Sequence, residues 1–197
     1  MRSHQLKEHT AIIAARRATL RESLVQIIRP HDQLVWEVGS GHGHFLTAYA
    51  LAHPNETCVG IDIASERVQR AELKRRRARL EHLHFVRADA DDFLASMPEG
   101  ARFSLVFILF PDPWPKRRHH KNRIMRAQFL SDVAARCVAG ARLHFRTDHE
   151  PYFLEASSVL RGHADWLAAD EAVMPFEEPT VFQKRAARYF TLVATRR

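Results

Sequence analysis

Cysteine is nearly absent. Cys58 and Cys137 are the only two in 197 residues, and they do not stand in a paired ligand spacing, which argues against a disulfide framework or a cysteine-built metal site. No apolar run approaches the roughly 20 residues that a membrane-crossing helix needs. The opening MRSHQLKEHT also lacks the continuous hydrophobic segment that directs secretion. The expectation is a cytoplasmic protein with neither a membrane nor a metal among its partners. Repeats, low-complexity tracts and linker-like stretches are missing too, which favours a single domain over residues 1–197. Acidic side chains are the last shortage: Lys and Arg number 30 against 23 Asp and Glu, a formal charge of +7 with neutral histidines. Such an excess suits an acidic partner, nucleic acid first of all.

An apolar content of 46% is enough for a sizeable core. Residues 6–28 read as an N-terminal helix, with Leu6, Ile12, Ile13, Leu20, Leu24, Ile27 and Ile28 forming an irregular stripe that Pro30 ends. Beyond it LVWEV, TCVGID, LHFV, FSLVFILF and ARLHF read as strands, separated by helical stretches near 44–53, 65–80, 90–96, 123–138 and 149–161. That alternation predicts an α/β fold with a mostly parallel sheet and helices on both faces. FSLVFILF, apolar almost throughout, is the predicted central strand. A weaker strand near 163–168 and RYFTLVAT near the C-terminus complete seven, with a loop of about 17 residues between them.

Chemistry gathers where strands end. VWEVGSGHGHF puts Gly39, Gly41 and Gly43 between the first strand and a helix, where a backbone without Cβ can approach a ligand closely. A dinucleotide fingerprint spaces its glycines as G-x-G-x-x-G. The spacing G-x-G-x-G, with Glu37 just ahead of it, instead suits an ammonium and a sulfonium, because a carboxylate attracts those and repels a pyrophosphate. S-adenosylmethionine is therefore favoured over NAD. Asp62, about 20 residues on, stands where an acid accepts from both ribose hydroxyls. Asp89 in VRADADDF follows the third strand and is placed to meet an adenine amino group, with helix capping as the competing role for it, and Asp91 or Asp92 expected as the cap.

FPDPWPKRRHHKNRI, residues 110–124, sets Asp112 between two prolines that limit its backbone. Six Lys and Arg residues follow between Lys116 and Arg126 with no acid among them, a field suited to phosphates. This stretch closely resembles the signature of the bacterial tRNA (guanine-N(7)-)-methyltransferases, and the glycine loop, the strand-end acids and FRTDHEPY fall in the matching order over residues 34–155. The resemblance implies a Rossmann-like class I methyltransferase fold, S-adenosylmethionine as donor, and tRNA as partner, methylated at guanine 46 of the variable loop. Asp112 then lies at both cofactor and base, as the catalytic carboxylate. Lys116 and Asp148 match substrate-binding positions, and Arg117, Arg118, Lys121 and Arg123 are expected on the RNA backbone. Trp114 offers either a stacking face or loop packing, and the run KRRRAR at 74–79 reads as a solvated helix face, with RNA contact as the alternative.

Departures from the family pattern are also visible. TVFQ supplies Thr180 and Phe182, but Gln183 stands where the family carries a glutamate that helps bind the guanine. An amide has one accepting oxygen where a carboxylate has two. Asp62 replaces the usual glutamate, and the N-terminal arm is short. These features keep open a methyltransferase acting on another RNA or guanine-like substrate, or a non-catalytic RNA-binding relative. Either a monomer or a homodimer is compatible with the sequence.

Overall fold

In the computed structural model, which describes residues 2–171, 173–178, 183, 186 and 188–197 and side chains from residue 8 onward except residue 9, strand and helix alternate as the sequence suggests. The order is α1 (Arg2–Leu24), β1 (Gln33–Val38), α2 (His44–Ala52), β2 (Thr57–Asp62), α3 (Ser65–Ala78), β3 (Leu83–Arg87), α4 (Ala90–Ser96), β4 (Arg102–Leu109), α5 (Ala127–Ala134), β5 (Cys137–Thr147), α6 (Glu150–Arg161), β6 (Trp166–Ala168) and β7 (Phe190–Arg196). The seven strands lie in the order β3-β2-β1-β4-β5-β7-β6. β1 to β5 pair in parallel, and β7 runs antiparallel to both of its neighbours. The chain winds outward from β1 to β3 and then returns to lay β4 beside β1. That reversal opens a crevice at the carboxyl ends of the strands, where open α/β sheets take ligands.

β4 is the middle strand, as its uniform apolarity predicts. Val106, Phe107 and Ile108 are wholly buried because both faces of the sheet are covered. On one face Trp36 stacks with Phe103 at 4.7 Å and Phe93 at 5.2 Å, and Leu20, Leu24 and Ile28 pack into the same cluster. On the other, Val35, Cys58 and Phe107 meet Phe45, Leu46 and Tyr49 of α2. The loop after β6 folds back over this second face, where the Phe176 ring meets Phe45 at 5.8 Å and Tyr49 at 5.5 Å.

Two boundaries differ from expectation. α1 stops at Leu24, and Ile27 and Ile28 fall in the turn that follows it. The helix expected over 123–138 is much shorter, and β5 already begins at Cys137. The cause is tertiary: the Tyr152 hydroxyl of α6 accepts from the backbone N–H groups of Ile124 and Met125, at 3.1 and 3.2 Å, and holds them outside any helix. No helix among the described residues is long and apolar enough to cross a membrane.

Candidate functional site

The glycine loop and the acids around it meet at the switch point. Gly39 and Gly41 have φ of +72° and +55°, and a Cβ on either would meet no protein atom within 4 Å. They combine left-handed backbone with open space above it. Asp62 braces the turn: one carboxylate oxygen accepts from Gly41 N–H at 3.1 Å and the other from Ala64 N–H at 2.8 Å. Glu37 at the end of β1 is only 4% exposed, and its Oε2 has no hydrogen-bond partner. Burial pushes its pKa up to about 8, against the lowering effect of the Leu46 backbone N–H and with a further push from Asp62. A buried carboxylate with an unmet acceptor, beside open space, is suited to a cationic ligand. The chemistry of these residues, a buried unpartnered carboxylate and a second strand-end acid beside an open glycine turn, fits a ligand such as S-adenosylmethionine.

Asp89 begins α4 and caps it, accepting from Asp92 N–H at 2.8 Å, while its second oxygen faces Arg16 of α1 at 3.4 Å. Neither Asp91 nor Asp92 caps that helix, contrary to expectation. Asp91 pairs with Arg126 at 2.6 Å, and buried Asp92 takes Arg16 and, at 2.7 Å, Arg17. Ile63, 69% exposed and directly after Asp62 in the chain, lines with Asp89 a cavity of about 840 Å³ that runs between α1 and β3. Sequence reasoning passed it over. The available signal was an apolar residue placed directly after a strand-end acid.

Asp112 is exposed, on a turn bracketed by two residues in unusual backbone states: Phe110 at φ +51° and Trp114 at φ +43°. Left-handed conformations of bulky residues cost on the order of 1–3 kcal/mol each and persist only when their surroundings impose them. The surroundings are identifiable. Phe110 N–H donates to the Arg146 carbonyl at 2.7 Å, anchoring the start of the turn to β5. Arg123 anchors its middle: it is 2% exposed, Nε donates to the Pro113 carbonyl at 2.8 Å, Nη1 reaches Glu155, and the guanidinium lies 4.8 Å from the Tyr152 ring centre. This corrects the expectation that Arg123 grips RNA, because a buried guanidinium with its donors engaged inside the protein is unavailable to phosphate. Lys116, Arg117, Arg118 and Lys121 remain exposed around the short 3-10 helix Arg117–Asn122. The Trp114 ring meets His119 edge-on at 5.7 Å, which is the loop-packing role.

At the end of β5, Asp148 is exposed, and α6 is capped by His149, whose Nδ1 accepts from Tyr152 N–H at 3.2 Å. Capping is thus not the work of Asp148. Arg146, unremarked in the sequence, is buried and binds the Glu177 carboxylate at 2.8 and 3.0 Å, the Gln183 Oε1 at 3.0 Å and the Thr191 hydroxyl at 3.0 Å. Gln183 therefore contacts Arg146, and Thr180 lies outside the described residues. In the run at 74–79, Arg75 pairs with Glu72 at 3.0 Å and Lys74 donates to the His42 carbonyl at 2.9 Å. Those two cations are half-buried and engaged inside the protein, whereas Arg76, Arg77 and Arg79 are exposed, so only part of the run is a solvated face, and its charge complements the helix dipole at the end of α3. Among the described residues no group of three or more His, Cys, Asp or Glu is arranged to hold a metal ion.

A family model described as "Putative methyltransferase" matches residues 31–191. The tRNA (guanine-N(7)-)-methyltransferase of Hyphomonas neptunium is 36% identical over 143 residues, 71% of this chain and 65% of that protein. The enzyme of the same name from Nitrosomonas eutropha is 32% identical over 157 residues, 78% of this chain and 70% of that protein. For Alkalilimnicola ehrlichii the figures are 34% over 132 residues, 66% and 55%, so the chain spans between 55% and 70% of these relatives. Among solved structures, the 16S rRNA methyltransferase KamB superposes with a TM-score of 0.62 at 19% identity, covering 87% of this chain and 91% of that one. The 16S rRNA (adenine(1408)-N(1))-methyltransferase of Catenulisporales acidiphilia gives 0.60 at 18%, covering 89% and 91%. Those two likenesses concern the fold alone, a class I Rossmann-like methyltransferase sheet. Sequence identity above 30% across most of the Nitrosomonas protein goes further, and the chain belongs to the tRNA (guanine-N(7)-)-methyltransferase family.

Proposed function

We propose that this protein transfers a methyl group from S-adenosylmethionine to N(7) of guanine 46 in the variable loop of tRNA. The observation that carries the reading is the placement of Asp112: an exposed carboxylate on a braced turn, at the crevice edge that also holds Glu37 and Asp62, with four exposed cations immediately after it. When bound, the cofactor supplies an electrophilic methyl carbon on a sulfonium. Guanine N(7) has a lone pair and no proton, so no base is needed to free the nucleophile. The lone pair forms the N–C bond, the S–C bonding pair returns to sulfur, and the positive charge passes to the purine.

The work left to the protein is placement and charge. Holding the two centres in line supplies on the order of 7–11 kcal/mol of the barrier. Asp112, fixed beside a ring that gains positive charge, favours the transition state over the neutral ground state. Lys116, Arg117, Arg118 and Lys121 restrain the phosphates of the strand that carries the base. Incubation with labelled S-adenosylmethionine and unmodified tRNA, followed by nuclease digestion, is expected to yield 7-methylguanosine at position 46. Asp112→Ala is expected to lower turnover about 100- to 1000-fold. Absence of that nucleoside, or an unchanged rate in Asp112→Ala, overturns the assignment. Gln183, bound to Arg146 where the family has a glutamate, favours one alternative, another guanine-bearing RNA, which mapping the methylated nucleotide distinguishes.

A further inference from the structure

Beside the Asp112 turn an aromatic ring lies half open to solvent with its underside pinned. Tyr189 is 41% exposed, directly before β7. β5 and β7 pair with Thr147 opposite Phe190, and one more step of that register sets Tyr189 opposite Asp148. Beneath the ring, the Arg146 guanidinium lies 4.6 Å from its centre. Arg146 cannot readily swing away, because Glu177, Gln183 and Thr191 all hold it. The Phe110 ring stands edge-on to Tyr189 at 6.2 Å, and Phe110 opens the turn on which Asp112 sits two residues later. A lone exposed aromatic needs no explanation. One backed by a fully engaged buried arginine, next to the residue that opens the Asp112 turn and opposite Asp148 in strand register, is a built surface.

We propose that Tyr189 is the shelf on which the target guanine stacks, with Arg146 as its fixed backing and Asp148 at its edge. The proposal rests on the guanine-N(7) reading above and adds to it the residue that receives the base. A purine offers a π-face to the ring. Guanine also presents adjacent N–H donors on its pairing edge, which the Asp148 carboxylate accepts. Methylation turns the stacked base into a cation, and attraction between a cation and an aromatic face then grows along the reaction. Glu177 offsets the charge of Arg146, so the outer face of Tyr189 keeps its capacity for that attraction.

The test compares wild type with Tyr189→Phe, Tyr189→Leu and Tyr189→Ala. It reads kcat and KM for unmodified tRNA, and the fluorescence of tRNA carrying 2-aminopurine at the target position, which stacking quenches. Tyr189→Phe is expected to stay within about threefold of wild type, since the face is retained. Tyr189→Ala and Tyr189→Leu are both expected to lose about 5- to 150-fold in kcat/KM, part of it in kcat, together with the quenching. Affinity for S-adenosylmethionine, measured by calorimetry, is expected to be unchanged in all three, which also shows that they are folded. If Tyr189→Leu restores rate and quenching, the side chain is packing and the shelf is refuted. If Tyr189→Ala equals wild type, the shelf is refuted while the guanine-N(7) reading stands. A wild-type protein that makes no 7-methylguanosine sinks the parent reading and this proposal with it.

Discussion

The raised pKa of Glu37 predicts that cofactor binding is coupled to loss of a proton. Burial raises its pKa to about 8, so by simple titration about 0.9 of the molecules carry a proton on Glu37 at pH 7. An ammonium arriving beside the carboxylate favours the ionised form, and the proton leaves as the cofactor enters. Binding at pH 7 is thus expected to release up to about 0.9 proton from this group. Calorimetric titration with S-adenosylmethionine in phosphate and in Tris, whose ionisation enthalpies differ, gives the proton count from the difference in apparent binding enthalpy. Glu37→Gln serves as the reference, because it keeps the shape and removes the titration. The wild-type count should exceed that of the variant, by up to about 0.9 at pH 7. The same group acts on stability. Its folded pKa is raised, so its contribution is full below about pH 4.5 and is lost as pH rises through about 8, on the order of 1.4 kcal/mol per pH unit within that window. His144 acts oppositely at the acid end: burial first, then the charges of Arg142 and Arg146, lower its pKa to about 3, so stability falls as pH drops from about 6.5 toward 3. Equal proton counts in wild type and Glu37→Gln would refute the assignment of Glu37 to the ammonium.

Further outcomes follow from the turn and its cations. Arg123→Ala is expected to cost about 2–3 kcal/mol, moderated because Glu155 is part-exposed, and so to lower Tm by roughly 5–10 °C in differential scanning fluorimetry. Arg123→Lys, which keeps the charge but loses the planar reach to Pro113 and Glu155, should lower kcat while leaving S-adenosylmethionine affinity unchanged, and normal turnover would show that the brace does not position Asp112. Each of Lys116, Arg117, Arg118 and Lys121 changed to Gln should reduce the slope of log affinity for tRNA against log salt by about 0.7, read by filter binding, whereas Arg123→Lys should leave the slope unchanged.

The parts of the fold legible in the sequence are those that local chemistry decides. Unbroken apolarity in FSLVFILF required burial on two sides, and β4 is the middle strand. Glycines between a strand and a helix required positive φ, and all three adopt it. Misreadings arose where a distant side chain intervenes. Nothing near residue 124 announces that Tyr152 will take two N–H groups from the start of the expected helix. Within RRHHKNR the charges look interchangeable, yet Arg123 lies against an aromatic ring and a carboxylate on α6 and is buried, while its neighbours face solvent. Arg146 escaped notice for the same reason, since its partners come from the loop after β6 and from β7.

Burial without a partner does not by itself reveal which polar group serves a ligand, and two residues in one register row make the distinction. Glu37 pairs with Phe107 and Phe107 with His144, so both polar side chains rise from the same face of the sheet, two strands apart. Both contain buried atoms with no hydrogen bond. Each unmet group costs on the order of 1–3 kcal/mol, so the fold carries two comparable penalties. Their surroundings differ in the property that matters. His144 lies against the Phe107 ring with Arg142 and Arg146 nearby, so an incoming cation is repelled and the neutral ring stays an inert core group. Glu37 ends its strand at the turn where Gly39 and Gly41 leave open space, and Asp62 adds negative potential that makes its proton easy to displace only by a positive ligand. The penalty at Glu37 can be relieved by a cationic ligand, whereas the one at His144 has no such remedy, and this difference is why the proposed cofactor role falls to Glu37 of the pair.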